Sequence, residues 1–256
     1  MEKFPMSQLN PEQTSMLSKE KGEKFFEVTS FPRSQYLASM LARGVMNVSQ
    51  IVQEGDRYFS HKQRLETLPP HDDAPAQFIA DGLILHHVFQ DSDHGLHDDP
   101  KRKNKTLEFK NVVFDKDMKR YSIFDVDAFE GAKSYFNVLT TDGEEFKESI
   151  KKWLTEDASL LTEKDSQTAI HSIATVLAKK VDQFLENNFK DKSLLDAAFQ
   201  KAFPDSNLSE LDEYFSSHHA QSLSVEEKKD LFFKDLITRL SLTREVAKEL
   251  VEQNKK

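Results

Sequence analysis

The apolar positions of this chain switch several times between the period of a strand and that of a helix. Phe25, Phe26, Val28 and Phe31 form a run that favours a pleated surface. From Pro32 the spacing lengthens, and Tyr36, Leu37, Met40 and Leu41 recur every three or four residues, which predicts a helix. Pro32 suits its first turn and Gly44 its end. Two β-like pieces follow at residues 48–52 and 57–60, around the turn Glu54-Gly55-Asp56. The clearest break is Leu68-Pro69-Pro70-His71-Asp72-Asp73-Ala74-Pro75. An apolar helix then runs from Ala76 through Phe78, Ile79, Leu83, Ile84, Leu85, Val88 and Phe89, delivering the chain to Asp91.

Residues 112–114 and 121–124 are short apolar runs separated by the polar turn 115–119, the pattern of a β-hairpin. Beyond Gly131 the period is helical almost to the end. Phe146, Ile150, Trp153 and Leu154 mark one helix, and Ile170, Ile173, Ala174, Leu177, Val181, Phe184 and Leu185 a longer one. Thr162 and Asp165 are placed to cap the latter. Pro204 interrupts, and Leu208, Leu211 and Phe215 predict a short helix. Ser224, followed by two acids, reads as an N-cap. It opens a helix buried through Leu231, Phe232, Leu236, Ile237 and Leu240, with a last charged helix over 243–254. The expected class is α+β, mostly helical.

Composition narrows the chemistry. With 256 residues, one large domain or two small ones are expected. There is no cysteine, so disulfides, zinc–thiolate sites and cysteine nucleophiles are excluded. Twenty Phe against one Trp predict a core that leans on Phe. The formal charge of −9 disfavours general attraction to nucleic acid or anionic membranes. Lys101-Arg102-Lys103-Asn104-Lys105 is the one dense basic patch. The opening MEKFPMSQLN carries no apolar signal core, and no run of about 18 apolar residues occurs, so a cytoplasmic protein without a membrane span is expected. Delivery into another cell's cytosol is the alternative this reading leaves open.

Candidate chemistry concentrates between Asp91 and Gly131. Acids and histidines crowd residues 91–99, and the predicted hairpin is preceded by Asn111 and followed by Asp125 and Asp127. An amide oxygen and a carboxylate on neighbouring strands suit a hard cation such as Mg²⁺. His94-Gly95-Leu96-His97-Asp98, then Asn111-Val-Val-Phe-Asp, then Ile123-Phe124-Asp125-Val126-Asp127, resembles the catalytic half of the protein-kinase-like superfamily. The likeness is to its aminoglycoside phosphotransferase, choline-kinase-like and lipid-kinase branches. It implies a kinase-like bilobal architecture, with a small α+β lobe over 1–68, a hinge over 69–76 and a helical lobe over 77–256 carrying the hairpin at 111–125. It further implies phosphoryl transfer from a nucleotide, ATP, to a hydroxyl acceptor with Mg²⁺. Asp125 and Asn111 would hold the metal, Asp127 would be a secondary carboxylate, Asp98 or Asp93 would orient the acceptor, and Lys24 would approach the nucleotide.

The sequence departs from that pattern at definite places. The family's catalytic Asp lies about five residues before its Asn, whereas Asp98 and Asp93 precede Asn111 by 13 and 18. The insert KRKNKTLEFK must therefore loop out, or the pocket is not built as in the family. Where the family carries a strand Lys and a helix acid, this chain offers Glu27 and Thr29, then Gln35, and no glycine-rich loop is visible. A catalytically degenerate kinase-like module is thus a competing reading, with a protein partner on the C-terminal helices anchored at Phe232 and Phe233. A third is a metal-dependent phosphohydrolase, because His86, His87, Asp91, Asp93, His94 and His97 include usual non-thiolate ligands. In that reading His87 and Asp91, four apart on the predicted helix, face the same way.

Overall fold

The computed structural model describes residues 25–61, 76–91, 95–97, 106–108, 112–115, 120–123, 126, 128–129, 138–139, 143–157 and 166–253. Strand β1 (Phe25–Val28) leads into helix α1 (Pro32–Ala42), with Pro32 in the first turn as expected. Gly44 follows the helix at φ 80°, a conformation that a side chain would strain. Strands β2 (Ile51–Glu54) and β3 (Arg57–His61) flank a turn in which Gly55 takes φ 63°. The three strands form an antiparallel sheet in the order β1-β3-β2.

Helix α2 (Ala76–Leu83) continues into a wider π-helical turn, Ile84–Val88. Two antiparallel ribbons come next. One joins β4 (Gly95–His97) to β5 (Thr106–Glu108), and the other joins β6 (Val112–Asp115) to β7 (Arg120–Ile123). The remaining elements are helical: α3 (Glu144–Lys152), α4 (Ser166–Gln183), α5 (Lys192–Ala202), α6 (Asp212–Ser217) and α7 (Val225–Gln253). The chain is therefore mostly helical with a small antiparallel sheet, the α+β class its periodicity predicts. Among the described residues, no helix is long and apolar enough to cross a membrane.

Three local outcomes differ from expectation. The charged segment after Thr243 is no separate helix, because no Gly or Pro interrupts the run and α7 continues through it. Its start is capped as anticipated: Ser224 N donates to Glu227 Oε2 at 2.8 Å and Glu227 N donates to Ser224 Oγ at 3.3 Å, a capping box. Asp91 lies past the end of α2 and its π turn, so the helical facing of His87 and Asp91 does not arise. Phe232 and Phe233 are buried, which removes them as exposed anchors for a partner. The paired Thr162 and Asp165, and the proline-rich break, lie outside the described residues.

One hydrophobic core runs from Val28 and Tyr36 to Leu250. Its centre is aromatic, as the Phe content predicts. Phe129 meets Phe232 edge-on at 4.8 Å, and Phe232 in turn meets Tyr214 at 5.2 Å and Phe199 at 5.7 Å. Such contacts add about 0.5–1.5 kcal/mol each beyond the area they bury. The sheet is tied to this body at the start of α1. The Glu210 carboxylate accepts from Arg33 N at 2.9 Å and Ser34 N at 3.0 Å, satisfying backbone donors that an N-terminal turn leaves free. Arg33 also forks onto Asp205.

Candidate functional site

The described part of the site begins where α2 runs out. Phe89 N donates to the Ile84 carbonyl and Asp91 N to the Leu85 carbonyl, closing the widened turn. Gln90 makes the reversal possible by adopting φ 54°, a left-handed conformation uncommon outside glycine. Phe129, six residues after the end of β7, adopts φ 66° and donates its N–H to the Phe89 carbonyl at 2.7 Å. The chain before the acidic stretch and the chain after the hairpin are thus stitched together.

A buried polar network under α7 holds this junction. Asp235 Oδ2 accepts from Tyr214 OH at 2.8 Å and from Arg239 Nε at 2.8 Å. Arg239 Nη1 reaches the His87 carbonyl at 3.2 Å, and its guanidinium lies 5.3 Å above the Phe146 ring. With its oxygen turned toward Arg239, the Gln90 carboxamide accepts from Nη2 at 3.1 Å. His218 Nδ1 lies 2.8 Å from the Tyr214 carbonyl, and its Nε2 lies 3.5 Å from Asp235 Oδ1. Burial pushes the Asp235 carboxyl up, but the His218 hydrogen bond and the Arg239 charge outweigh it and hold it below its ordinary range. Burial, with the Asp235 charge beside it, drives the Tyr214 phenol well above its usual value. His87 is wholly enclosed, with Nε2 3.2 Å from Ser149 Oγ; burial and the adjoining His86 press its imidazole well below the normal range. It is a neutral, committed side chain at physiological pH.

The hairpin expected at 111–125 forms as β6–β7, with Val112 opposite Ile123 and Asp115 opposite Arg120. Its Ile123 end is also hydrogen-bonded to the segment before β2. Ile123 N donates to the Asn47 carbonyl and Ser49 N to the Ile123 carbonyl, both at 2.7 Å. That segment is gripped by a buried ion pair, Asp81 of α2 with Lys180 of α4 at 2.7 Å. Lys180 Nζ donates to the Val45 carbonyl at 2.9 Å, and Asn47 N points at Asp81 Oδ2 at 3.4 Å. The β4–β5 ribbon pairs Gly95 with Glu108 and His97 with Thr106, so the basic insert begins from paired strand ends.

Asp93, Asp98, Asn111, Asp125, Asp127 and Lys24 themselves lie outside the described residues. The neighbouring positions that the resemblance singles out are described. Glu27, where a strand Lys is expected, takes the guanidinium of Arg57 on β3. Gln35, where a helix acid is expected, is buried and donates to the Ser30 carbonyl at 3.2 Å. Among the described residues, no three His, Asp or Glu side chains form a group able to hold a metal ion.

Sequence reasoning missed Asp81, Lys180, Gln90, Asp235 and Arg239. The signal was present: Lys180 interrupts the apolar face of Leu177 and Val181, and Asp81 sits between Ile79 and Leu83. A charge inside an apolar stripe is a sign of a buried, paired group. No protein-family model, curated protein or solved structure matches the chain.

Proposed function

We propose that the chain is a kinase-like phosphotransferase, moving a phosphoryl group from a nucleotide such as ATP to a hydroxyl acceptor with Mg²⁺, on a bilobal frame with a reduced first lobe. The supporting observation is the register of the two ribbons. One ends on the pair Gly95–Glu108 and the other on Val112–Ile123, and only residues 109–111 separate Glu108 from Val112. Along the chain, Asp93 is two residues before Gly95, Asn111 is one before Val112, and Asp125 is two after Ile123. Two carboxylates and an amide oxygen are the donor set a hard divalent cation takes. In sequence, Asp98 instead follows His97, which pairs with Thr106 at the other end of β4–β5, about 7 Å along the strand from Gly95. The register thus favours Asp93 over Asp98 for orienting the acceptor.

On this reading the Asp125 carboxylate and the Asn111 carboxamide oxygen hold Mg²⁺, with Asp127 as a further carboxylate. Bound Mg²⁺ supplies charge neutralisation for the nucleotide phosphates. An Asp93 carboxylate oxygen takes the proton of the acceptor hydroxyl as the phosphoryl group arrives, and Lys24 meets the phosphates. Little covalent chemistry is asked of the protein, whose contribution is position and charge. Thermal unfolding with and without Mg²⁺ and ATP tests this. Saturable stabilisation that disappears in Asp125→Ala supports the reading, and no shift in the wild type defeats it.

A second reading has its own support. Glu27 bound to Arg57, and Gln35 bound to a backbone carbonyl, put acid and amide where the family uses its Lys and acid. That favours a catalytically degenerate interaction module, which would bind a protein partner and show no response to nucleotide.

A further inference from the structure

We propose that the buried Asp81–Lys180 ion pair is a positioning element: it sets where the β6–β7 ribbon sits on the helical body. Its catalytic meaning rests on the phosphotransfer reading. The chain of contacts is short and continuous. Asp81 belongs to α2 and Lys180 to α4, and both side chains are almost wholly enclosed. Between them they engage the Val45 carbonyl and the Asn47 N–H, in a stretch that belongs neither to α1 nor to the sheet. The same stretch turns its other backbone groups to Ile123, as acceptor at Asn47 and donor at Ser49. Ile123 is the β7 residue paired with Val112. The pair on α2 and α4 therefore reaches Ile123, two residues before Asp125, through the single intervening residue Asn47, and Ile123 in turn pairs with Val112, the residue after Asn111.

Stability alone is a poor account of this arrangement. A buried ion pair is commonly replaced by apolar residues of similar volume with no loss of stability, because desolvation offsets its attraction. Apolar residues, however, have nothing with which to hold a carbonyl and an N–H. What they would lose is the fixed path of residues 45–49, and with it the seat of Ile123. The same logic explains why the two charges come from different helices: a grip spanning α2 and α4 refers the ribbon to the body as a whole rather than to one flexible loop.

The test is the double variant Asp81→Leu/Lys180→Met, read in three ways. Thermal unfolding is expected to remain cooperative, with its midpoint falling by no more than a few degrees, the cost of leaving the Val45 carbonyl without its Lys180 donor. Hydrogen exchange at the Ile123 amide is expected to accelerate at least tenfold while amides in the middle of α4 are unchanged. The dissociation constant for Mn²⁺, used as a spectroscopic substitute for Mg²⁺, is expected to rise at least tenfold. A folded double variant with wild-type exchange at Ile123 overturns the inference whatever the metal does. If the wild type binds no Mn²⁺ but the variant's Ile123 amide is exposed, the metal reading falls and the positioning role stands. Should the double variant not fold, Lys180→Arg, which keeps the charge but moves its donors, is read by the same exchange measurement, with unchanged protection again counting against the proposal.

Discussion

Replacing Arg239 by Met should be among the most damaging single changes in this protein. Arg239 and Asp235 are 1% and 0% exposed, so removing the guanidinium leaves a carboxylate in a medium that cannot solvate it. Breaking a buried pair in this way costs about 3–5 kcal/mol. The His87 carbonyl also loses its donor, and a buried acceptor left unsatisfied costs about 1–3 kcal/mol more. A loss of about 4–8 kcal/mol is comparable with the whole stability of many domains, about 5–15 kcal/mol. The diagnostic partner is the double variant Asp235→Asn/Arg239→Met. A neutral amide can still accept from Tyr214 OH, and no charge remains buried, so the double variant should be more stable than Arg239→Met alone. Urea denaturation followed by circular dichroism at neutral pH measures both. A single variant within 1 kcal/mol of wild type, or a double variant worse than the single, would refute the reasoning.

Two further outcomes follow from the same chemistry. His87 is held neutral by burial, so its folded pKa lies below the value near 6.5 of an unfolded chain. Above that value it contributes no pH dependence; as pH falls below it the unfolded state binds the extra proton and stability drops, by at most about 1.4 kcal/mol per unit. The midpoint in urea should therefore fall between pH 7 and pH 5 in wild type and fall less in His87→Leu; equal slopes would contradict this. Asp235, whose carboxyl is depressed, adds stability above the unfolded carboxylate range that is lost only at lower pH, so it does not mask the His87 effect. For the chemistry, Asp93→Asn should reduce nucleotide turnover by orders of magnitude and Asp98→Asn by no more than a few fold. The reverse order would show that the ribbon register misassigns the acid.

Much of the framework was legible because amphipathic period is a strong signal. The stripe of Ile173, Leu177 and Val181 marked α4, the Pro32 start marked α1, and the two apolar runs around 115–119 marked β6 and β7. What stayed hidden depends on contacts distant in sequence. Asp81 and Lys180 are 99 positions apart, and nothing local to either identifies the other. Asp235 and Arg239 stand at helical spacing and read as an ordinary exposed pair, until Tyr214, His218 and Gln90 are brought around them by the fold. Phe232 and Phe233 illustrate the converse error: the degenerate-module reading made both of them anchors for a partner, yet both pack into the central aromatic cluster. The left-handed backbone at Gln90 and Phe129 had no sequence signal, since neither is a residue type that favours it.

The central claim is that an amide and a carboxylate beside the paired end of β6–β7 hold a divalent cation. Crystals grown with Mn²⁺ and diffracted near the manganese absorption edge test it most directly. The account predicts one strong anomalous peak, within about 2.1–2.3 Å of oxygens from both Asn111 and Asp125, that is absent in Asp125→Ala. A peak on the histidines between His86 and His97, or a wild-type crystal with no peak near residues 111 and 125, would contradict it.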